Sequence, residues 1–169
     1  KNFTYISTPE AFPNAMWAFK KLAGFKRLTV LIPAEFLAAV PKLEQAMKQV
    51  AGVLDVDLTV AKVEERTAAS ALAAIPKDAQ AGLIGVLVSF TGTEWRGLID
   101  GINARKLPSF SFVGRREVEE GILAGFTSGL ELSRRARRVG LNVQRILLGE
   151  KAEDMHVIVS SHERILINM

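Results

Sequence analysis

The 169-residue chain contains no cysteine. Structural disulfides and thiolate metal sites are therefore excluded, and the redox compartment stays open. Histidine is scarce: His156 and His162 are the two. Their spacing is not that of a helical metal pair, so a structural or solvated role is expected for each. Apolar runs are short, and one of the longest, residues 82–90, is far below bilayer length. No signal peptide, transit peptide or lipidation motif is present. The sequence also has no Gly-x-Ser-x-Gly elbow, no Gly-x-x-x-x-Gly-Lys phosphate cradle and no dinucleotide fingerprint. Where a receiver domain would carry its acceptor acid, the chain reads Ser89-Phe90-Thr91. No catalysis, metal or cofactor is expected.

What is present is ordinary globular composition, 49% apolar and 24% charged, enough for one domain with a sizeable core. The net charge is +4. Nucleic-acid binding needs such charge gathered on one face. The one dense cluster is Arg134-Arg135-Ala136-Arg137-Arg138. It lies in a helical pattern in which Leu132, Ala136, Val139, Val143, Ile146 and Leu147 recur at spacings of three and four. That pattern predicts an inward apolar stripe and a solvated arginine face, so no nucleic-acid partner is expected.

Along the chain, strand and helix alternate. Phe12, Ala15, Met16, Phe19 and Leu22 share a helical face that Gly24 stops, which leaves Trp17 on the opposite face. Leu28-Thr29-Val30-Leu31-Ile32 is a strand within Arg27–Pro33. Phe36, Val40, Leu43, Met47 and Val50 mark a helix that Pro41 kinks or delays. A strand follows over residues 56–63, then a short alanine-rich helix over 67–75. Residues 82–89 are apolar without alternation, as in a strand covered on both faces. Thr91-Gly92-Thr93 opens a helix with Trp95, Leu98, Ile99 and Ile102 inward. A strand over 110–113, a wet turn containing Glu117, Glu119 and Glu120, and a strand over 122–126 precede the arginine-rich helix over 130–148. Two strand-like runs, 155–159 and 164–167, finish the chain. The order predicts a three-layer αβα sandwich with a mostly parallel sheet. The start at Lys1 and the strand run at the last residues read as an excised piece of a longer protein.

In such sheets, ligands bind at the carboxyl ends of the strands. That rule selects Pro33, Ala34 and Glu35 after the first strand, and Phe90, Thr91, Gly92 and Thr93 after the third. It also selects Gly114, Arg115 and Arg116 after the fourth, and Gly125 and Phe126 at the fifth. Thr91–Glu94 offers hydroxyls and free amides to an anion, or it is an ordinary N-cap. Arg115 and Arg116 are placed to grip a carboxylate, or else they balance the glutamates that follow. If the first readings hold, the ligand carries a carboxylate or another anionic group.

Several strings resemble a known family. Asn2-Phe3-Thr4 is similar to its "Asn-hydrophobic-Thr-Gly" opening, and Phe25-Lys26-Arg27-Leu28-Thr29-Val30-Leu31 to its "Ala-Lys-Arg-Ile-Gly-Val-Leu" strand. Leu107-Pro108-Ser109-Phe110 resembles "Ile-Pro-Val-Phe". Val118-Glu119-Glu120-Gly121-Ile122-Leu123-Ala124-Gly125 resembles "Val-Lys-Lys-Gly-Ala-Leu-Ala". Ile146-Leu147-Leu148-Gly149-Glu150-Lys151-Ala152-Glu153-Asp154-Met155 resembles "Ile-Leu-x-Gly-x-x-Pro-x-Asp-Ile". Ile165-Leu166-Ile167-Asn168-Met169 resembles "Leu-x-Val-Asn-Leu". These are strings of the periplasmic substrate-binding proteins of the uncharacterised ABC-transporter type, which include tryptophan- and tyrosine-binding members. The chain looks like the carboxy-terminal lobe.

The resemblance implies a periplasmic-binding-protein-like lobe spanning residues 1–169. A missing amino-terminal lobe, a small-molecule ligand, a membrane permease and a periplasmic location come with it. The departures fall at the expected contact points. Pro33-Ala34-Glu35-Phe36 stands where the family has small polar residues, Thr91 where it has Asp, and Gly114-Arg115-Arg116-Glu117 where it has small and acidic residues. The stretch 126–130 replaces family tyrosines. The fold carries over and the ligand does not. A sensor lobe fused to a signalling module and a partner-binding lobe are the alternatives. An enzyme on a flavodoxin-like sheet is disfavoured by the lack of an acid–base constellation.

Overall fold

The computed structural model describes residues 6–7, 10–84, 90–112, 114–127, 129–155, 157–158 and 164–169. Expectations that fall on Asn2-Phe3-Thr4, residues 85–89, Val113, Ser128, His156 and His162 lie outside the described residues.

Helix α1 (Ala11–Ala23) buries Ala15, Met16 and Phe19 and stops at Gly24. Gly24 takes the left-handed conformation, φ 69°, in which its N–H reaches the Lys20 carbonyl at 2.8 Å, the closure glycine favours. Strand β2 (Arg27–Pro33) is followed by α2 (Ala34–Ala39) and α3 (Leu43–Val53). Pro41 accounts for the break between these helices. It holds Val40 out of the helical region, at φ −128° and ψ 73°. Then come β3 (Asp57–Val63), α4 (Ala68–Ala74), β4 (Ala81–Ile84), α5 (Gly92–Ala104) and β5 (Ser109–Ser111). The last stretch holds α6 (Arg115–Glu119), β6 (Ala124–Thr127), α7 (Gly129–Leu147), a 3₁₀ turn (Ala152–Asp154), β7 (Val157–Ile158) and β8 (Arg164–Ile167). β1 (Ile6–Ser7) precedes them all.

Six strands form the main sheet in the order β3-β2-β4-β5-β6-β8. All pairings are parallel except β6 with β8. Alternate residues feed two cores, one per face. Leu28, Val30, Ile32, Leu83 and Phe110 pack under α1 and α3 with Met16, Phe19, Met47 and Ala51. Leu31, Ala61, Val63 and Ile84 pack under α4 and α5 with Ala71, Leu98, Ile99 and Ile102. Every residue of β4 is buried, so a strand covered on both faces reads as an unbroken apolar run. A chain of rings anchors the first core. Phe110 contacts Phe19 at 5.4 Å and Phe126 at 5.1 Å between centroids. The expected αβα sandwich is the observed one.

Two expectations are corrected. Glu117 and Glu119 are not in a wet turn. They belong to α6, which is held by the i,i+4 pairs Arg115–Glu119 (3.1 Å) and Arg116–Glu120 (2.8 Å). Glu117 itself is buried. The second correction concerns α7. Its apolar residues Val139, Val143, Ile146 and Leu147 are exposed, and Asn142 is the buried side chain among those described. The described part of the apolar stripe is therefore open to solvent. β1 and β7, meanwhile, pair with each other in a separate two-stranded sheet.

Candidate functional site

The strand order reverses at β2. The chain goes from β2 outward to β3, then crosses back to β4 on the other side. Crossovers diverge there, which is the place at which open sheets of this kind take their ligands. The registers Leu31↔Ile84, Ile84↔Ser111 and Ser111↔Gly125 align β2, β4, β5 and β6 in parallel, so their carboxyl ends face one rim. At about 4.8 Å per strand, that rim is roughly 14 Å long.

The sequence-selected residues reach this rim in different ways. Pro33 is buried as the last residue of β2, Ala34 is half-buried, and Glu35 is exposed in the first turn of α2. Arg66 Nη2 donates to Glu35 Oε1 at 2.8 Å and lowers the Glu35 pKa. Sequence reasoning did not find Arg66, because its partner lies thirty-one residues away. Phe90 is half-buried, with its ring 6.2 Å from that of Trp95. Thr91, Gly92 and Thr93 are exposed at the start of α5. Thr91 occupies the N-cap position without a side-chain capping bond. Its hydroxyl is therefore not committed to that helix.

Glu94 does cap a helix, though not its own. Its Oε2 accepts from the Ala68 N–H at 2.6 Å, and Thr67 Oγ1 accepts from Ser70 N–H at 3.2 Å. Together they satisfy two amides at the start of α4 and lock α4 to α5.

At the end of β5, Gly114 is buried at φ 143°, a conformation that side chains disfavour. Arg115 and Arg116 are exposed and spent on Glu119 and Glu120. The charge-balancing reading is therefore the one their geometry fits. Arg116 and the Trp95 indole hold the Glu120 carboxyl below the usual carboxylate range, and Glu120 in turn raises Arg116. Glu117 Oε2 is buried and accepts no hydrogen bond. At the end of β6, Gly125 sits where a Cβ would lie 3.0 Å from the Ser111 carbonyl oxygen and from Val118 Cγ2. Phe126 is in the ring cluster of the core. Both are turned into the fold. The open part of the rim is Glu35 with Arg66 on one side and Thr91–Thr93 on the other. Among the described residues, no group of three or more carboxylates and histidines is placed to hold a metal ion. No helix of the described residues is long and apolar enough to cross a membrane.

No family model matches the chain, and no curated protein matches it. Solved structures do. A conserved domain protein from Vibrio cholerae superposes with a TM-score of 0.73 at 20% identity, over 97% of this chain and 54% of that one. An ABC domain in complex with L-Trp from Streptococcus pneumonia gives 0.67 at 16% identity, over 96% and 55%. A LacI family transcriptional regulator from Bifidobacterium animalis gives 0.66 at 12% identity, over 95% and 60%. Further substrate-binding proteins and another LacI-type repressor match as well. The chain thus spans little more than half the length of these three structures. At these identities the likeness is one of fold, and the fold is a periplasmic-binding-protein-like lobe.

Proposed function

We propose that this chain is one lobe of an extracytoplasmic substrate-binding protein of an ABC transporter. It closes with a second lobe over a small, amino-acid-like molecule and delivers it to a membrane permease. The observation that carries this reading is the open rim at the order reversal. There Thr91, Gly92 and Thr93 present uncommitted hydroxyls and helix-start amides, across from the Glu35–Arg66 pair. The rim is half of a cleft, and ligand that touches both halves favours the closed form.

The bare stripe on α7 supports the same reading. An apolar helix face is built to be covered, and Val139, Val143, Ile146 and Leu147 are open here. In our reading the second lobe covers them. The role is binding and release without turnover. LacI-type regulators share the fold, which keeps an extracytoplasmic sensor lobe as the alternative.

The test is calorimetry on the full-length protein against L-amino acids, their amides and simple sugars. One class should bind, and Thr91→Val with Thr93→Val should weaken it at least tenfold, about 1.4 kcal/mol. Binding that ignores both substitutions would remove the rim from the site, and no binding to any class would remove the transport reading.

A further inference from the structure

At the other end of the sheet, below the amino ends of β2 and β3, lies a second concavity of about 530 Å³. Gly24, Phe25 and Lys26 lead into β2, and Val53, Leu54 and Asp55 lead toward β3. These two connections and the last turns of α1 line it. Phe25 is buried, while Trp17 is 55% exposed and Val53 87% exposed. The rim of the basin is thus apolar and open.

Its charge is one-sided. Three ammonium groups, Lys20, Lys21 and Lys26, line it against one carboxylate, Asp55. Lys20 is fixed. Its Nζ donates to the Leu54 carbonyl at 2.6 Å and the Asp55 carbonyl at 2.9 Å, across the carboxyl end of α3. Lys21 Nζ stands 5.9 Å from the centroid of the Trp17 ring. Neither Lys21 nor Lys26 has an ion-pair partner among the described residues.

We infer that this basin docks a segment of a partner protein in which an apolar side chain is flanked by acidic ones. The apolar side chain would lie against Trp17 and Val53, and the carboxylates would face Lys21 and Lys26. The concavity fits an inserted side chain better than it fits a flat bilayer. The basin lies at the opposite end of the strands from the ligand rim, so occupation of one does not block the other. This inference does not rest on the transport reading.

The test uses the whole chain, uniformly labelled with ¹⁵N. Its two tryptophans, Trp17 and Trp95, give two indole N–H signals, which Trp17→Phe assigns. The probes are the capped peptide Asp-Glu-Phe-Leu-Glu-Asp, its amide counterpart Asn-Gln-Phe-Leu-Gln-Asn, and phosphatidylglycerol/phosphatidylcholine vesicles. The acidic peptide should shift the Trp17 indole and the amides of Gly24, Lys26 and Asp55 saturably, and leave the Trp95 indole in place. The amide peptide should bind at least tenfold more weakly. Lys21→Glu with Lys26→Glu should do the same to the acidic peptide while the circular dichroism spectrum is kept. Equal binding of both peptides, no saturable shift, or a response to vesicles alone would overturn the inference.

Discussion

Glu94 carries more of the structure than its place in sequence indicates. As an acid in the first turn of α5, it reads as a partner for that helix's own dipole. Its bond goes instead to Ala68, twenty-six residues away, at the start of α4. Glu94→Ala should therefore cost about 1–2 kcal/mol in urea denaturation, the usual loss for a removed cap. Glu94→Gln, which keeps an acceptor, should cost less. Glu120 makes a second prediction at this scale. Its pKa is lowered by Arg116 first and also by the Trp95 indole. A lowered carboxyl contributes stability above its unfolded pKa, about 4.3, and that stability is lost as the pH falls through the folded value. The gap in melting temperature between the protein and Arg116→Ala should be constant from pH 6 to 8 and should close in acid below about pH 4. A gap that widened in acid would contradict the pairing. Neither Glu94's partner nor that of Glu35 was legible in sequence, because both bonds join residues that only the folded sheet brings together.

Among the elements, those built on one local rule were legible. α1 ends where Gly24 said it would, β2 and β8 have the read bounds, and Pro41 separates α2 from α3. α6 was missed because five residues give too little periodicity. The signal that could have found it is Arg115-Arg116-Glu117-Val118-Glu119-Glu120, with two basic residues each four before an acid. The carboxyl ends of β2 and β8 were placed correctly and that of β6 within one residue, yet the burial of Gly125 and Phe126 depended on packing with β5 and α6.

The contact of α4 with α5 offers a third prediction. At Gly101 a Cβ would lie 2.3 Å from Leu72 Cδ1, and at Gly97 it would lie 3.1 Å from the Ala68 Cβ. The two glycines sit one turn apart and let the helices approach. Gly101→Val adds branched bulk at that seam and should cost about 1–3 kcal/mol, read from the urea midpoint. Val143→Asn on α7 should change the same midpoint by less than about 0.5 kcal/mol, since Val143 is exposed. A large loss there would mean that the stripe is covered after all.

Over the molecule as a whole, α7 separates what the isolated chain holds together from what it leaves open. Amide exchange follows local opening. The amides of α7 should exchange quickly in the isolated chain and slow down in the full-length protein, where the proposed second lobe covers the stripe. Equal rates in both would remove that lobe from α7. The helical periodicity of α7 was read correctly from sequence, but its direction was not. A periodic stripe states that a face will be buried and is silent about which body buries it.

The connectivity has a mechanical consequence. The chain passes between the main sheet and the outlying β1–β7 pair in three places: from β1 into α1, from β6 by way of α7 to β7, and from β7 back to β8. A body on a single tether can swing and spin. One joined through three connections has less freedom to twist than one on a single tether. In the proposed two-lobe protein, a second lobe attached through β1 and β7 would therefore approach the rim and withdraw from it with little twist.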